Sequence, residues 1–192
     1  MKVTFLIDCE YVGQICDKLR RDFAHLLQRP IDQADLPLWI ECALRDAYGE
    51  TMNPESETQV YLFHQFDAQG FAPFVPASYT DELDGKAFRG SAGEVMFAAC
   101  AVDPKLGTKE TILCETLQTL LQHDDAANVL LAVDMNAYGK RIKSILAEQA
   151  SQSVTLLSLD TRVSQAFRTE QIGFSLLAAL HISSEEIAQA ST

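Results

Sequence analysis

The sequence predicts an α/β fold in which a mostly parallel five-stranded sheet is covered by helices on both faces. Short apolar runs alternate along the chain with segments of roughly ten to fifteen residues that have helical periodicity. Such alternation is typical of right-handed β-α-β crossovers, which place parallel strands side by side. Apolar residues make up 47% of the 192 residues, enough for a substantial core. We therefore expect one three-layer α/β/α domain spanning residues 1–192.

The first third of the chain contains two predicted strands and two predicted helices. Val3 to Ile7 is a short β-branched and aromatic run without helical periodicity, so it predicts a buried strand. Apolar positions three and four apart predict a helix over Val12 to Leu27. A second helix is expected over Leu36 to Tyr48, which has a proline in its first turn and a glycine after its end. The next strand is expected over Gln59 to Phe63.

The rest of the chain continues the alternation after a long irregular segment. Residues 67–92 are rich in glycine, proline and aromatics, and we expect a helix within them around Asp81 to Phe88. Further strands are expected over three ranges: Glu94 to Val102, Asn128 to Val133 and Val154 to Leu159. Helices are expected over Lys109 to Leu121, over Ala137 to Gln149, and within the C-terminal part from Thr161 to Gln189.

Charge and cysteine content limit the possible environments and partners. Fifteen basic against twenty-seven acidic residues give a net charge of -12, which argues against capture of nucleic acid by the whole surface. Any RNA must then be held by local contacts or through a metal. The five cysteines lack paired spacing and are expected to be reduced. No apolar run has the length of a secretory or transmembrane segment, so we expect a cytoplasmic protein without a membrane partner.

Acidic and amide side chains follow several predicted strands. Asp8 and Glu10 follow the first strand, Glu110 opens the helix after the third, and Asp134 and Asn136 follow the fourth. The carboxyl ends of parallel strands share one edge of the sheet, where ligands of open α/β sheets bind. Oxygen ligands suit Mg²⁺ or Mn²⁺, which can activate water and clamp phosphoryl oxygens. A metal site at this edge is one interpretation.

The same acids also have a structural interpretation, and the sequence leaves both open. Asp8, Glu110 and Asp134 each stand near the start of a predicted helix, where acids commonly cap the helix or complement its dipole. The metal interpretation makes a geometric demand that capping does not. It requires the three carboxylates to lie within metal-bridging reach of one another, on the order of 4 to 8 Å.

Three segments of the chain are similar to motifs of a known family. FLIDCEY (Phe5 to Tyr11) resembles a strand followed by I-D-G-[DE]-N, and TKETILCETLQTLL (Thr108 to Leu121) is similar to a G-V-D-V-x-L-x-x-D helix. NVLLAVDMNAYGKRIKSIL (Asn128 to Leu146) is similar to a strand ending in S-G-D-S-D-F with its following helix. With a last core strand at Ser153 to Leu159 and an amphipathic helix at Ser164 to Leu177, the order resembles NYN domains. These form a branch of the PIN-like ribonuclease superfamily that includes LabA-like proteins.

The resemblance implies a fold, an activity and a set of site residues. The implied strand order is 3-2-1-4-5, and the implied activity is Mg²⁺- or Mn²⁺-dependent hydrolysis of RNA by a metal-bound water. The catalytic metal ligands that it implies are Asp8, Glu110 and Asp134, with Asn136 as a further metal ligand. Two more acidic positions of the family fall on Glu10 and Glu115, which would form a second rank around the site.

Departures from the family pattern support a competing hypothesis. Cys9 replaces the family's glycine, Tyr11 replaces its asparagine, and Ala132 and Val133 replace a Ser-Gly pair. The lost serine removes a hydroxyl that could orient a carboxylate or a water. The alternative to a ribonuclease is therefore a non-catalytic, degenerate PIN-like domain that binds a protein partner, a nucleic acid or a second copy of itself.

Two further groups of residues each have two interpretations. Lys140 and Arg141 follow the Asp134 strand end and either contact RNA phosphates or form a solvated helix face. Four aromatic residues in or directly before the irregular segment either stack on bases of single-stranded RNA or attach the segment to the core: Phe66, Phe71, Phe74 and Tyr79.

Overall fold

The strands and helices alternate along the chain from its first residues onward. A computed structural model describes residues 1–122, 128–148, 153–159 and 168–190 of the protein. The strands within these ranges are β1 (Lys2–Asp8), β2 (Ala34–Asp35), β3 (Glu57–Gln65), β4 (Phe74–Val75), β5 (Ala87–Gly90), β6 (Gly93–Val102), β7 (Asn128–Ala132), β8 (Ser153–Ser158) and β9 (Arg168–Gln171). The helices are α1 (Cys9–Leu26), α2 (Leu36–Tyr48), α3 (Lys109–Gln122), α4 (Met135–Ala147), α5 (Ile172–Ala179) and α6 (Ser184–Ala190). Gly49–Thr51 forms a 3-10 turn and Tyr79–Leu83 a π-helical turn.

The main sheet is mostly parallel, as the alternation predicts. Its strand order is β5-β6-β3-β1-β7-β8-β9, and of its neighbouring pairs β5 and β6 alone run antiparallel. The short strands β2 and β4 pair separately. The α/β class with a mostly parallel sheet flanked by helices is confirmed. The described sheet has seven strands instead of the expected five, because β5 and β9 extend it at its two edges.

Side chains of the central strands point alternately into two cores, one on each face of the sheet. In β1, Phe5 and Ile7 pack with α1, α2 and α5 on one face, while Leu6 packs with α3 and α4 on the other. This alternation follows from the two-residue period of a strand. Both faces of β1 are apolar because a central parallel strand is covered by helices on both sides.

The irregular segment after β3 is attached to the core by its aromatic side chains. The ring of Trp39 on α2 lies 5.2 Å from that of Phe74 and 6.4 Å from that of Phe71, measured between centroids. Phe71, Phe74 and Tyr79 are all buried. Burial makes these three rings unavailable for base stacking, so the packing interpretation is confirmed for them. Phe66, at 62% exposure, is different and stays open to solvent.

Two helix predictions were partly wrong. Within Asp81 to Phe88 the chain forms only the end of the π-helical turn, and Phe88 belongs to β5, which forms a hairpin with β6. The hairpin closes between Gly90 and Gly93, and the positive φ of 107° at Gly93 suits glycine. Within Ser164 to Leu177, β9 precedes α5, since its backbone pairs with β8. Residues 149–152 and 160–167 of the predicted C-terminal elements lie outside the described residues.

No helix in the described ranges is both long and apolar enough to cross a membrane.

Two helical glycines differ in what a side chain would meet, and they give a matched pair of substitutions. A Cβ at Gly13 in α1 would lie 2.8 Å from the backbone oxygen of Ala72, whereas a Cβ at Gly139 in α4 would meet the flexible end of Met135 at 3.3 Å. We expect Gly13→Ala to lower the free energy of unfolding by about 1 to 3 kcal/mol through overpacking. Gly139→Ala should raise it by up to about 1 kcal/mol through helix propensity. Urea denaturation checks both signs, and a stabilised Gly13→Ala would show that α1 does not approach Ala72.

Candidate functional site

The candidate site lies at the carboxyl edge of the parallel sheet, where β1 passes into α1. Ile7 is level with Leu62 of β3 on one side and with Ala132 of β7 on the other. Asp8 is therefore held at the edge shared by three adjacent strands. It is also the N-cap of α1, and its Oδ1 accepts a hydrogen bond of 3.1 Å from the Tyr11 backbone N–H.

A lysine ammonium joins the two acids that follow β1. Nζ of Lys109, the first residue of α3, lies 2.5 Å from Oδ1 of Asp8 and forms a second ion pair with Glu10. The other carboxylate oxygen of Glu10 accepts a 3.1 Å hydrogen bond from the Gln65 backbone N–H at the end of β3. The three side chains form an internal ion-pair network, which we call the Lys109 network.

The Lys109 network extends to α4 through a tyrosine. The hydroxyl of Tyr138 donates a buried hydrogen bond of 2.6 Å to Oδ2 of Asp8. Burial, and then the charge of Asp8, raise the pKa of Tyr138 far above its usual range, so the hydroxyl stays protonated and donates. With Tyr11 and Lys109 on the other oxygen, Asp8 accepts hydrogen bonds from three donors while only 5% of its surface is exposed.

The charges of the Lys109 network are largely balanced within it. Burial on its own would lower the pKa of Lys109, but its hydrogen bonds and ion pairs with Asp8 and Glu10 outweigh that effect and raise the pKa. The lysine is therefore a fixed cation at neutral pH. One ammonium against two carboxylates leaves a formal charge of −1, and a Glu10 side chain that is 28% exposed presents that charge to solvent.

The predicted residues after β7 cap the next helix. Asp134 is the N-cap of α4, and its Oδ1 accepts hydrogen bonds from the backbone N–H of Asn136 at 2.9 Å and from its Nδ2 at 3.0 Å. The capping interpretation is therefore confirmed for Asp8 and Asp134. Asp134 and Asp8 both lie near the phenol of Tyr11. Burial raises the pKa of Tyr11, and the charges of the two carboxylates raise it further.

The predicted residues on α3 and α4 occupy different surroundings from Asp8. Glu110 lies half-buried in the first turn of α3, next to the residue that actually reaches Asp8. Adjacent residues project about 100° apart around a helix, and Lys109 is the one that contacts the end of β1. Arg141 contacts α3 through Thr111 at 3.2 Å and through the exposed Glu115 at 3.4 Å, while Lys140 is exposed. Arg141 thus links two helices.

The expected metal ligands are not the side chains that meet at Asp8. Across the described ranges, no three His, Cys, Asp or Glu side chains are arranged to hold a metal ion. The structure brings Asp8 together with Glu10 and Lys109, and it does not assemble Asp8, Glu110 and Asp134 into a ligand set. The cation that Asp8 contacts is the Lys109 ammonium.

Cys9, His64 and Tyr79 form a packed group behind the network. The His64 ring stacks on the Tyr79 ring with 3.7 Å between centroids, and Cys9 lies close to Tyr79. Burial raises the pKa of Cys9 well above its usual value and lowers that of His64. Both groups are therefore neutral at pH 7, as structural side chains. All five cysteines are free, as expected.

A groove opens beside the network on the same edge of the sheet. It has a volume of about 500 Å³ and lies between the end of β3, the end of β6 and the start of α3. Its apolar lining comes from Phe66, Val102 and Pro104, and Asp67 and Lys109 supply charged groups. The groove and the Lys109 network therefore share one side chain.

Lys109 and Tyr138 are the two site residues that the sequence interpretation missed. The position of Lys109 carried a signal, because a cation in the first turn of a helix opposes the helix dipole and indicates a nearby anion. Tyr138 carried no such signal, since an aromatic residue on the apolar face of a helix is ordinary core. Its hydrogen bond to Asp8 depends on the packing of α4 against the sheet.

The chain matches a protein family model over residues 1–187 and belongs to that family, which is described as a family of unknown function (DUF6621). No curated protein and no solved structure matches the chain.

Loss of the lysine charge tests how much the network stabilises the fold. We expect Lys109→Met to lower the free energy of unfolding by about 3 kcal/mol at pH 7, because it leaves Asp8 buried without its counter-ion. The matched control is Lys105→Met, which removes an exposed lysine from the turn before α3 and should change stability by less than about 0.5 kcal/mol. Urea denaturation with two probes measures both. Equal stability of the two variants would contradict the network.

The pH dependence of that difference follows from the raised pKa of Lys109. A cation whose pKa is raised by folding contributes its full stabilisation below the unfolded pKa, roughly 10.4, and loses it as the pH rises through the higher folded value. The difference in unfolding free energy between wild type and Lys109→Met should therefore be constant from about pH 6 to 9 and shrink above about 10.4. Denaturation curves across this range provide the measurement. A difference that vanishes already at pH 8 would exclude a charged lysine as its source.

Proposed function

We propose that this member of the DUF6621 family is a non-catalytic, PIN-like binding module whose strand-end acids are neutralised by a lysine in place of a divalent metal. The observation that carries the proposal is the Lys109 ammonium, which bridges Asp8 and Glu10 at the carboxyl edge of the sheet. A binding function uses the groove beside this network, and it needs no exchangeable ion there.

A metal ion and the lysine compete for the same carboxylates. Two unit charges about 4 Å apart interact by about 4 kcal/mol at an effective dielectric constant of 20, so a divalent ion beside the ammonium meets a repulsion of about 8 kcal/mol. The two oxygens of Asp8 already accept three hydrogen bonds. Ligation by Asp8 would require Lys109 to leave a largely buried position, since its side chain is 19% exposed.

The arrangement of the sheet supports the PIN-like part of the proposal. Its central strands follow the order β6-β3-β1-β7-β8, which corresponds to the order that the NYN resemblance implies, with β5 and β9 added at the edges. The departures from the family motif also favour a structural role for this edge. Cys9 and Val133, which stand at two of its glycine positions, are 2% and 0% exposed and fill core space.

A metal-dependent ribonuclease remains the second candidate, and one observation favours it. Asp8, Glu10 and Asp134 all lie at the carboxyl edge of β1 and β7. The charges of Asp8 and Asp134 both act on Tyr11, and those of Asp8 and Glu10 both act on Tyr138. In that case Mg²⁺ or Mn²⁺ would have to displace Lys109, after which Asp8 could serve as a ligand. The two candidates therefore make opposite predictions about the wild-type protein and metal ions.

Thermal unfolding with and without metal distinguishes them. We expect millimolar Mn²⁺ or Mg²⁺ to change the melting temperature of the wild type by less than about 1 °C, because no free carboxylate pair is available at Asp8. Lys109→Met should then gain a Mn²⁺-dependent increase on the order of 3 °C or more, since it exposes Asp8 and Glu10 to an added cation. The double variant Asp8→Asn/Lys109→Met should lose that increase, and Lys105→Met should behave as the wild type.

An RNA assay completes the comparison. Labelled single-stranded RNA should remain intact with the wild type and Mn²⁺. A metal-dependent rise in wild-type melting temperature, together with cleavage that Asp8→Asn abolishes, would overturn the binding-module proposal and establish the ribonuclease. Cleavage that survives Asp8→Asn would come from a contaminating nuclease or from a different site on the protein.

A further inference from the structure

We propose that the groove beside the Lys109 network binds a peptide segment of a partner protein that presents an apolar side chain next to an arginine or lysine. The inference rests on the proposed binding function and names the chemistry of its partner. It depends on two properties of the groove, its exposed apolar walls and its excess of negative charge.

The apolar walls of the groove are Phe66, Val102 and Pro104. Phe66, directly after β3, is 62% exposed, and Leu106, which lies in the chain between the lining residues Pro104 and Gly107, adds an 80% exposed side chain beside the groove. The same irregular segment buries Phe71 and Phe74 completely against Trp39. Phe66 is thus set apart from the core cluster, and a groove of about 500 Å³ beside it has the size of a ligand pocket. Exposed apolar surface beside such a groove is typical of a protein-binding site.

The charges around the groove favour a basic partner over an RNA. Asp67 lines the groove, and the Lys109 network beside it has a formal charge of −1, so the two together carry two negative charges. The Lys109 charge is already matched inside the network, so it is not available to a phosphate. The exposed part of the Glu10 carboxylate can accept a second cation. A phosphate backbone would be repelled by this excess of two negative charges and by a net charge of -12.

A peptide that combines an apolar side chain with a cationic one fits the groove better than a peptide that has only one of the two. Its apolar side chain would cover Phe66 and Leu106, and its guanidinium or ammonium group would reach Glu10 or Asp67. The apolar contact removes exposed surface from water, while the charges select the partner and fix its direction. The Lys109 network contributes by holding Glu10 at the groove's edge, against the Gln65 backbone.

Selection from a displayed library of random decapeptides tests the inference with the full-length protein. Pools are selected on the wild type and, in parallel, on the double variant Phe66→Ser/Leu106→Ser. We expect the wild-type pool to be enriched in peptides with Arg or Lys beside an aliphatic or aromatic residue. Synthetic peptides from that pool should bind the wild type about tenfold or more tightly than the double variant. Asp67→Asn should weaken the same peptides several-fold, with a larger effect at low salt.

The matched control is Phe174→Ser, which removes a 68% exposed phenylalanine at the start of α5, outside the groove lining. It should bind the peptides as the wild type does. All variants should melt within about 2 °C of the wild type, because exposed side chains contribute little to stability. The inference would be overturned if the selected peptides bound without Phe66 and Leu106. It would equally be overturned if the peptides that need these two residues were acidic.

Two further outcomes separate this inference from the proposed function. A labelled ten-nucleotide oligouridine that binds the wild type but not the double variant would assign the groove to nucleic acid instead of a peptide. Stabilisation of the wild type by Mn²⁺, together with RNA cleavage that Asp8→Asn abolishes, would overturn the binding-module proposal itself. If neither of these results is seen and no selected peptide needs Phe66 and Leu106 for binding, the peptide inference alone is overturned.

Discussion

The carboxylate of Asp8 lies where β1, α1, α3 and α4 meet, and its charge must be balanced there. Removing such a group from water costs several kcal/mol unless it is paired and hydrogen-bonded. Three donors meet that requirement, each from a different helix: the Tyr11 backbone N–H of α1, the Lys109 ammonium of α3 and the Tyr138 hydroxyl of α4. Because α3 and α4 both direct a side chain at Asp8, the carboxylate couples the packing of the two helices on one face of the sheet.

The source of the balancing cation determines what the sheet edge can do. A metal ion exchanges with solvent and brings waters that it can activate, whereas a lysine is tethered to the chain and donates only its three N–H groups. The Lys109 network therefore gives the edge of the sheet a permanent structure and a small negative charge in place of a reactive water. The adjacent groove combines that charge with the exposed ring of Phe66, and the exposed side chain of Leu106 lies beside it in the chain. Recognition of a partner is the chemistry that such a surface supports.

Prediction from the sequence succeeded where one periodicity dominated. The helix over Leu36–Tyr48 was predicted with its observed bounds, because a proline in its first turn and a glycine at its end mark them. It failed where the decisive contacts are made by the backbone. Phe88 was assigned to a helix because the Gly90 to Gly93 hairpin was not recognised, and β9 was missed because its four polar residues pair with β8 at the edge of the sheet. Of the site, Asp8 and Glu10 were identified, while their partners Lys109 and Tyr138 were not.

The sequence by itself determined the α/β class and the position of the acids at strand ends, and it offered helix capping as one of two roles for Asp8 and Asp134, because these features depend on local periodicity and on residues within a few positions. Only the tertiary structure decided which cation meets Asp8. That choice depends on the rotation of α3, which directs Lys109 instead of the adjacent Glu110 toward a strand 101 residues away in sequence. It depends equally on the docking of α4, which brings the Tyr138 hydroxyl to the same carboxylate. Helix rotation is set by the packing of apolar faces in the core, and no spacing near Asp8 encodes it.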